Sequence, residues 1–304
     1  ADGVALLAGS YDRQWFANEP RGAVLPVDPR TAGAPLLGER HVLQHAAVAI
    51  ARSGPMAYVL ESRNGFDEIA VVRAMDASDP LRPRPVAVLS VPGPARALAA
   101  AGSRLYVAGG AGGLRVVGIG PDGGLRDLGR ASTSGACADD VALSPDGLLV
   151  LDACADRLLG FGVADDGWPV AQGALAVPPS ATRAAWLGAH AAVALGGRGG
   201  ALLVDARRPD GLEARGAWAP DAPLGAPSAL VLHSDGQSLT VAGPSTGLTT
   251  LRLDGAGQPP RVAAHLDVDG LQDLDAIGRH VVATDVAAAR LDVFDVGDIA
   301  APRL

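Results

Sequence analysis

Short runs of apolar residues, many alternating with polar ones, fill most of the chain, and turn residues cut each run from the next. The clearest stretch is RLYVAGGAGGLRVVGI, residues Arg104 to Ile119. A β-branched and aromatic run (Leu105, Tyr106, Val107) meets a Gly-rich turn and then a second run, Leu114 to Ile119. Two such runs around a turn predict a β-hairpin. The phrase recurs in degraded form, with equivalent second-strand positions at Pro26, Arg73, Gly118, Gly162, Asp205, Arg252 and Asp295. The mean spacing of about 45 residues falls in the band expected for four-stranded blades.

Each repeat shares one grammar. An Ala/Leu-rich strand ends in a turn such as Ser144-Pro145-Asp146-Gly147. The hairpin strands follow, then a Pro- or Gly-marked turn, then a more polar strand such as Pro85 to Ser90 or Arg261 to Leu266. Calling these a, b, c and d predicts an all-β chain, a seven-bladed β-propeller of four-stranded antiparallel blades. It reads as a single domain over 1–304, with blades near 1–42, 43–91, 92–131, 137–177, 180–219, 226–267 and 269–304. The first blade reads as incomplete, with no a strand before Val4, and the last stops barely into its d strand at Leu304. Three expectations stay open: the natural chain runs on, a partner supplies the strand, or the first blade has only three.

Composition narrows the function classes. A chain of 304 residues, 48% hydrophobic, can bury a large core, and 40 Gly with 23 Pro suit many tight turns. The net charge of −8 offers no basic stripe for a phosphate backbone, so nucleic-acid binding is not expected. No apolar run approaches the about 20 residues of a membrane helix. The opening Ala-Asp-Gly fits either cleavage after a small-residue signal site or an arbitrary boundary.

The turns Asp79-Pro80 before Arg84-Pro85-Val86, and Val296-Gly297-Asp298 before Pro302-Arg303-Leu304, join the Arg104–Ile119 phrase in resembling LVIVD-type repeats. The opening Leu6-Leu7-Ala8-Gly9-Ser10-Tyr11 is similar to the first strand of YVTN and phosphogluconolactonase-like seven-bladed propellers. That resemblance implies a propeller fold, in a family holding both lactonases and binding or scaffold proteins. It implies His and Arg at the starts of inner strands. Arg183, in Ala181-Thr182-Arg183-Ala184, matches the family's arginine; Ala184 stands where a His would follow, and Asp139 roughly where another would fall.

Three groups of residues are candidates for chemistry. Cys137 lies just before the a strand of the fourth blade and Cys154 just after its b strand, so antiparallel pairing brings them within disulfide reach; two buried free thiols are the alternative. A disulfide implies an oxidising compartment, hence a periplasmic or secreted protein. The starts of the inner strands gather Arg96, Asp140, Arg183 and Gln272, with His45 and Asp139 close by. Two arginines there would attract a carboxylate or other anion. Alternatively they pair with Asp139, Asp140 or Asp273 in a wet polar network. The loop SYDRQWFANEPR, with Arg13, Trp15 and Phe16, and a neighbouring loop with Arg63 and Phe66, concentrate aromatic and Arg residues in a chain only 4% aromatic. That chemistry suits an interface, unless Trp15 and Phe16 fold back to plug the first blade.

The 6 histidines (His41, His45, His190, His233, His265, His280) lack zinc-ligand spacing, so no metal is expected. No phosphate loop or Gly-x-Ser-x-Gly elbow appears, and no cofactor is expected. These readings favour a binding scaffold for another protein or a small anionic ligand. The alternative is a lactonase-like hydrolase of a small anionic lactone, with Arg183 and Arg96 on the anion and Asp139, Asp140 or His45 as the base.

Overall fold

Runs rich in Val, Leu, Ala and Thr suit a pleated surface, while Gly, Pro and Asp end each run before it can continue. The computed structural model describes residues 5–11, 21–28, 36–62, 69–131, 137–144, 147–179, 181–187, 190–195, 200–219, 229–233, 237–245, 247–253, 258–285, 288 and 290–304. Among them there is no helix, and every sheet is antiparallel.

The first sheet pairs β1 (Ala5–Tyr11) with β2 (Arg21–Asp28); two short pieces, β3 (Leu36–Leu37) and β4 (His41–Val42), both join β2. The second runs β5 (Ala46–Ser53), β6 (Met56–Ser62), β7 (Ile69–Asp76), β8 (Arg84–Pro92). The third runs β9 (Ala97–Ala101), β10 (Arg104–Ala108), β11 (Leu114–Ile119), β12 (Leu125–Arg130). The fourth runs β13 (Ala138–Ser144), β14 (Gly147–Asp152), β15 (Arg157–Val163), β16 (Pro169–Ala176). The fifth runs β17 (Ala181–Leu187), β18 (His190–Leu195), β19 (Ala201–Asp205), β20 (Glu213–Trp218). The sixth runs β21 (Ala229–Leu232), β22 (Ser238–Gly243), β23 (Gly247–Arg252), β24 (Arg261–Leu266). The last has three strands, β25 (Leu271–Ile277), β26 (His280–Asp285) and β27 (Arg290–Asp295).

Strands in each complete sheet follow chain order, the blade construction of a β-propeller. Five sheets are such four-stranded meanders, which corrects the expectation of seven four-stranded blades. In the first sheet the outer strand is split: Gly38 N–H bonds the Pro26 carbonyl, but Glu39 N–H turns away to the Leu81 carbonyl at 2.7 Å. In the last, the outer position holds one bridge, Asp295 to Arg303, in the register of Asp76 and Arg84 in the second sheet. The central hairpin is as predicted, Arg104–Ala108 pairing with Leu114–Gly118, and its turn uses positive φ at Gly110 (51°) and Gly113 (73°).

By packing, the chain forms two compact units, Ala1–Leu143 with Val163–Val170, and Ser144–Gly162 with Ala171–Leu304. In each, the cores lie between consecutive sheets. In the first unit Val59 packs with Val24 and Met75 on one side of β6, while Tyr58 and Leu60 pack with Leu98, Leu105 and Val107 on the other. In the second, Leu202 and Val204 of β19 meet Leu149, Leu151 and Leu158, while Leu203 meets Leu239, Val241 and Leu251. Alternation along a strand thus feeds two cores at once. The outer strands are half-solvated, as at Val86 and Val88 of β8.

Two kinds of irregularity recur. The outer strands of the second, third, fifth and sixth sheets each carry one extra residue at the same place: Val86, Leu128, Arg215 and Ala263. The first strands β5, β17 and β25 carry one near their start: Val48, Thr182 and Gln272. Such bulges re-aim neighbouring side chains.

Two internal bonds tie the strands beyond packing. Cys137 and Cys154 are disulfide-bonded. Glu61, at the end of β6, is wholly buried; its Oε1 accepts from Arg73 Nε at 2.6 Å and its Oε2 from the Gln44 and His45 N–H groups at 3.1 and 3.2 Å. A buried carboxylate costs several kcal/mol to desolvate, and only this full set of donors offsets it.

Two measurements follow. Closing a loop of about 18 residues restricts the unfolded chain, so Cys137→Ser with Cys154→Ser should lower the unfolding free energy in urea by about 3 kcal/mol. Removing Glu61's cation strands its charge, so Arg73→Leu should cost about 3–5 kcal/mol. Adding Glu61→Gln should recover part of that, because the charge is gone while an amide oxygen still accepts from Gln44 and His45.

Candidate functional site

In the second unit, β17 packs against β21 and β21 against β25, so the starts of these first strands share one edge. Each of β17 and β25 carries a bulge there. Ala181 pairs with Leu195 and Arg183 with Ala194, skipping Thr182; Leu271 pairs with Asp285 and Asp273 with Thr284, skipping Gln272. Arg183 and Asp273 therefore hold equivalent positions, each just past its bulge. The Asp273 N–H donates to Thr284 Oγ1 at 3.1 Å, and its Oδ1 accepts from the Leu274 N–H at 3.0 Å.

Asp273 is exposed at its surface, yet protein atoms surround its carboxyl closely enough to desolvate it. That crowding pushes its carboxyl above the usual range; the Arg183 guanidinium and the Leu274 N–H pull the other way without cancelling it. A carboxylate with raised proton affinity beside an arginine can take a proton from water while the cation holds an anion. Gln272 is the exposed bulge residue itself.

In the first unit, β5 packs against β9. Arg96, just before β9, pairs with Asp139 of β13 at 3.1 Å, with about half of its side-chain surface open (56%). Asp140 is buried, and its Oδ1 accepts from the adjacent Val141 N–H at 2.9 Å. His45 is half-buried and clamped through its backbone to Glu61, while no described residue bonds its buried Nδ1. Nearby, burial and then the Arg73 charge lower the His41 imidazole below its ordinary value, although Glu61 opposes them.

Arg96 and Asp139 are thus brought together, as are Arg183 and Asp273. Arg13, Trp15, Phe16, Arg63 and Phe66 lie outside the described residues. Sequence reading named Asp273 only as a possible partner of the arginines and missed the Glu61–Arg73 pair. The signal for Asp273 was the parallel between Leu271-Gln272-Asp273 and Ala181-Thr182-Arg183, legible only once the bulges align. Among the described residues no group of three or more His, Cys, Asp or Glu is placed to hold a metal ion. No helix among them is long and apolar enough to cross a membrane.

No protein-family model matches the chain, and no curated protein is similar to it. Solved structures are. A candidate 6-phosphogluconolactonase of Bacteroides uniformis superposes with a TM-score of 0.81 at 16% identity, over 99% of this chain and 94% of that one. A second, from Bacteroides fragilis, gives 0.77 at 15% identity, over 97% and 91%. The periplasmic gluconolactonase of Pseudomonas aeruginosa gives 0.76 at 17% identity, over 96% and 92%. These likenesses establish the propeller fold. They also overturn the expectation of a binding scaffold, because all three carry lactonase names.

Proposed function

We propose that the protein is a lactonase-like hydrolase acting on a small anionic lactone, with Asp273 as general base and Arg183 as the anion holder. The observation that carries this reading is a crowded carboxylate of raised proton affinity facing an arginine, both set at bulged strand starts. Bulges beside reactive groups re-aim side chains without breaking the sheet. The likeness of fold to lactonases supports it further.

In this mechanism Asp273 takes a proton from water as the water oxygen bonds to the lactone carbonyl carbon. The tetrahedral oxyanion then collapses, the bond from carbon to ring oxygen breaks, and the departing oxygen regains the proton from Asp273. The product is the open hydroxy acid. Arg183 pairs with a carboxylate or phosphate substituent of the lactone, fixing the carbonyl over the base. The disulfide fits an oxidising compartment, so we place the protein in the periplasm or outside the cell. The resemblance to LVIVD and YVTN repeats belongs to the same reading.

Hydrolysis of paired anionic and neutral lactones, followed by base uptake at constant pH, tests it. Asp273→Asn should lower kcat by about 10²-fold or more. In the wild type kcat should rise with pH as Asp273 ionises, since only the carboxylate accepts a proton, and this limb should vanish in the variant. Arg183→Ala should raise KM for the anionic lactone by about tenfold, the loss of one charged hydrogen-bonded contact, and leave the neutral lactone little changed. A wild-type rate no faster than buffer on every lactone, or an Asp273→Asn enzyme as fast as wild type, would reject the assignment.

A further inference from the structure

The fifth sheet departs from its siblings at the end opposite Arg183, where β19 turns into β20. The shared frame there is an aspartate closing the third strand. Asp76 accepts from the Ser78 N–H at 2.8 Å, Asp295 from the Gly297 N–H at 2.9 Å, and Asp205 from the Arg207 N–H at 3.2 Å. In the second and last sheets another aspartate follows and closes a second turn: Asp79 accepts from the Leu81 N–H and Asp298 from the Ala300 N–H. In the fifth sheet that position is Arg208, the position of Ser78 and Gly297 is Arg207, and the outer-strand bulge is Arg215 where other sheets have Val86, Leu128 and Ala263. One turn of a repeated design has gained three arginines.

These arginines are organised from within. Asp205 is 5% exposed, and its carboxylate receives Arg207 Nε and Nη2 at 3.0 and 2.6 Å, together with Arg215 Nε at 3.1 Å and Nη2. Bonds from Arg207 first, and from Arg215, hold this carboxyl well below the usual carboxylate range against the opposing effect of burial. Arg208 meets Asp210 through Nε at 3.1 Å and Nη2 at 2.7 Å, an exposed pair that water readily replaces. Arg215 also approaches Glu213 at 3.3 Å, whose side chain is largely open (66%). In all three arginines the Nε–Nη2 edge is occupied, and among the described residues nothing bonds the Nη1 edge.

The backbone beneath is fixed. A Cβ at Gly160 would lie 2.1 Å from the Pro209 carbonyl oxygen, and one at Gly173 would lie 2.5 Å from the same atom, so the turn is seated directly on β15 and β16. Over it opens a cleft of about 470 Å³ lined by Asp205, Arg207, Arg208, Asp210, Glu213 and Arg215. Across the cleft three arginines stand against three carboxylates, but two of the guanidiniums share the buried Asp205 and the third can be freed from an exposed partner.

We propose that this cleft is a binding site for a phosphate group, free or as a monoester, held by the Nη1 edges of Arg207, Arg208 and Arg215. The three donors fit a tetrahedral oxyanion with several acceptor oxygens better than a planar carboxylate, which one fork satisfies. Pre-ordering by Asp205 and the seated turn lowers the entropy that ligand binding would otherwise pay. The site stands apart from the hydrolase reading, at the other end of the same strands.

Calorimetric titration of the full chain in low-chloride buffer, with inorganic phosphate in one arm and glycerol phosphate in the other, tests the proposal. Wild type should show one saturable site in at least one arm, and the tighter arm identifies the source. Arg207→Ala with Arg208→Ala should weaken binding at least about tenfold, the loss of charge-assisted bonds, with the circular dichroism spectrum unchanged. Arg208→Glu, at a side chain 77% exposed, should do so without touching Asp205. No saturable binding in either arm, or wild-type affinity in both arginine variants, would overturn it. Lactone hydrolysis by the double variant should match wild type, so the two proposals stand or fall separately.

Discussion

The middle strands of this protein are buried on both faces, and that constraint shapes everything around them. A residue such as Leu202 faces the sheet before it and Leu203 the sheet after, so a one-residue slip would move every side chain of β19 into the wrong core. Each fully buried Leu or Val contributes about 1.5–3 kcal/mol through the water it sheds, and both cores claim that contribution from the same strand. The register of the middle strands is therefore rigid. What freedom remains lies at the first and last strands of a sheet and at the strand ends.

The bulges show where that freedom is taken. On the outer strands they recur at one position whatever residue occupies it, Val86, Leu128, Arg215 or Ala263, so there the bulge belongs to the sheet's twist rather than to a side chain. On the first strands they sit near the start, where the edge opens to solvent. There Arg183 and Asp273 find the room that a fully paired start would deny them. The rigid middle and the adjustable ends are one arrangement.

Much of this was legible in the chain. The Arg104–Ile119 hairpin, the Gly-rich turns and the cysteine pair follow from local chemistry and strand direction, and the structure contains all three. What escaped depends on neighbours remote in sequence. Nothing in Leu36 to Val42 announces that Glu39 will bond the Leu81 carbonyl and split an outer strand. Nothing in Tyr58-Val59-Leu60-Glu61 says that the glutamate is buried, since its partner Arg73 and the Gln44 and His45 N–H groups come from other segments. Of the two arginines read as an anion trap or as partners of Asp139, Asp140 or Asp273, Arg96 is engaged by Asp139 and Arg183 lies near the Asp273 carboxyl. The scaffold reading leaned on mismatches at Ala184 and Asp139, which compare residues one at a time; what overturned it was the lactonase names of three propellers of the same fold.

A repeated architecture supplies its own control. Because the third-strand aspartate, the turn it closes and the outer bulge recur, their presence in the fifth sheet needs no explanation beyond the fold. Arg207, Arg208 and Arg215 do, since siblings that turn with equal economy use Ser78, Asp79 and Val86. The same comparison separates Asp205 from its arginines. The aspartate is part of the frame, and only in this sheet does burying it among guanidiniums convert a turn-closing residue into the anchor of a charged cleft. The exposed Arg208–Asp210 pair adds little to folding, whereas Arg207 and Arg215 offset the buried charge of Asp205.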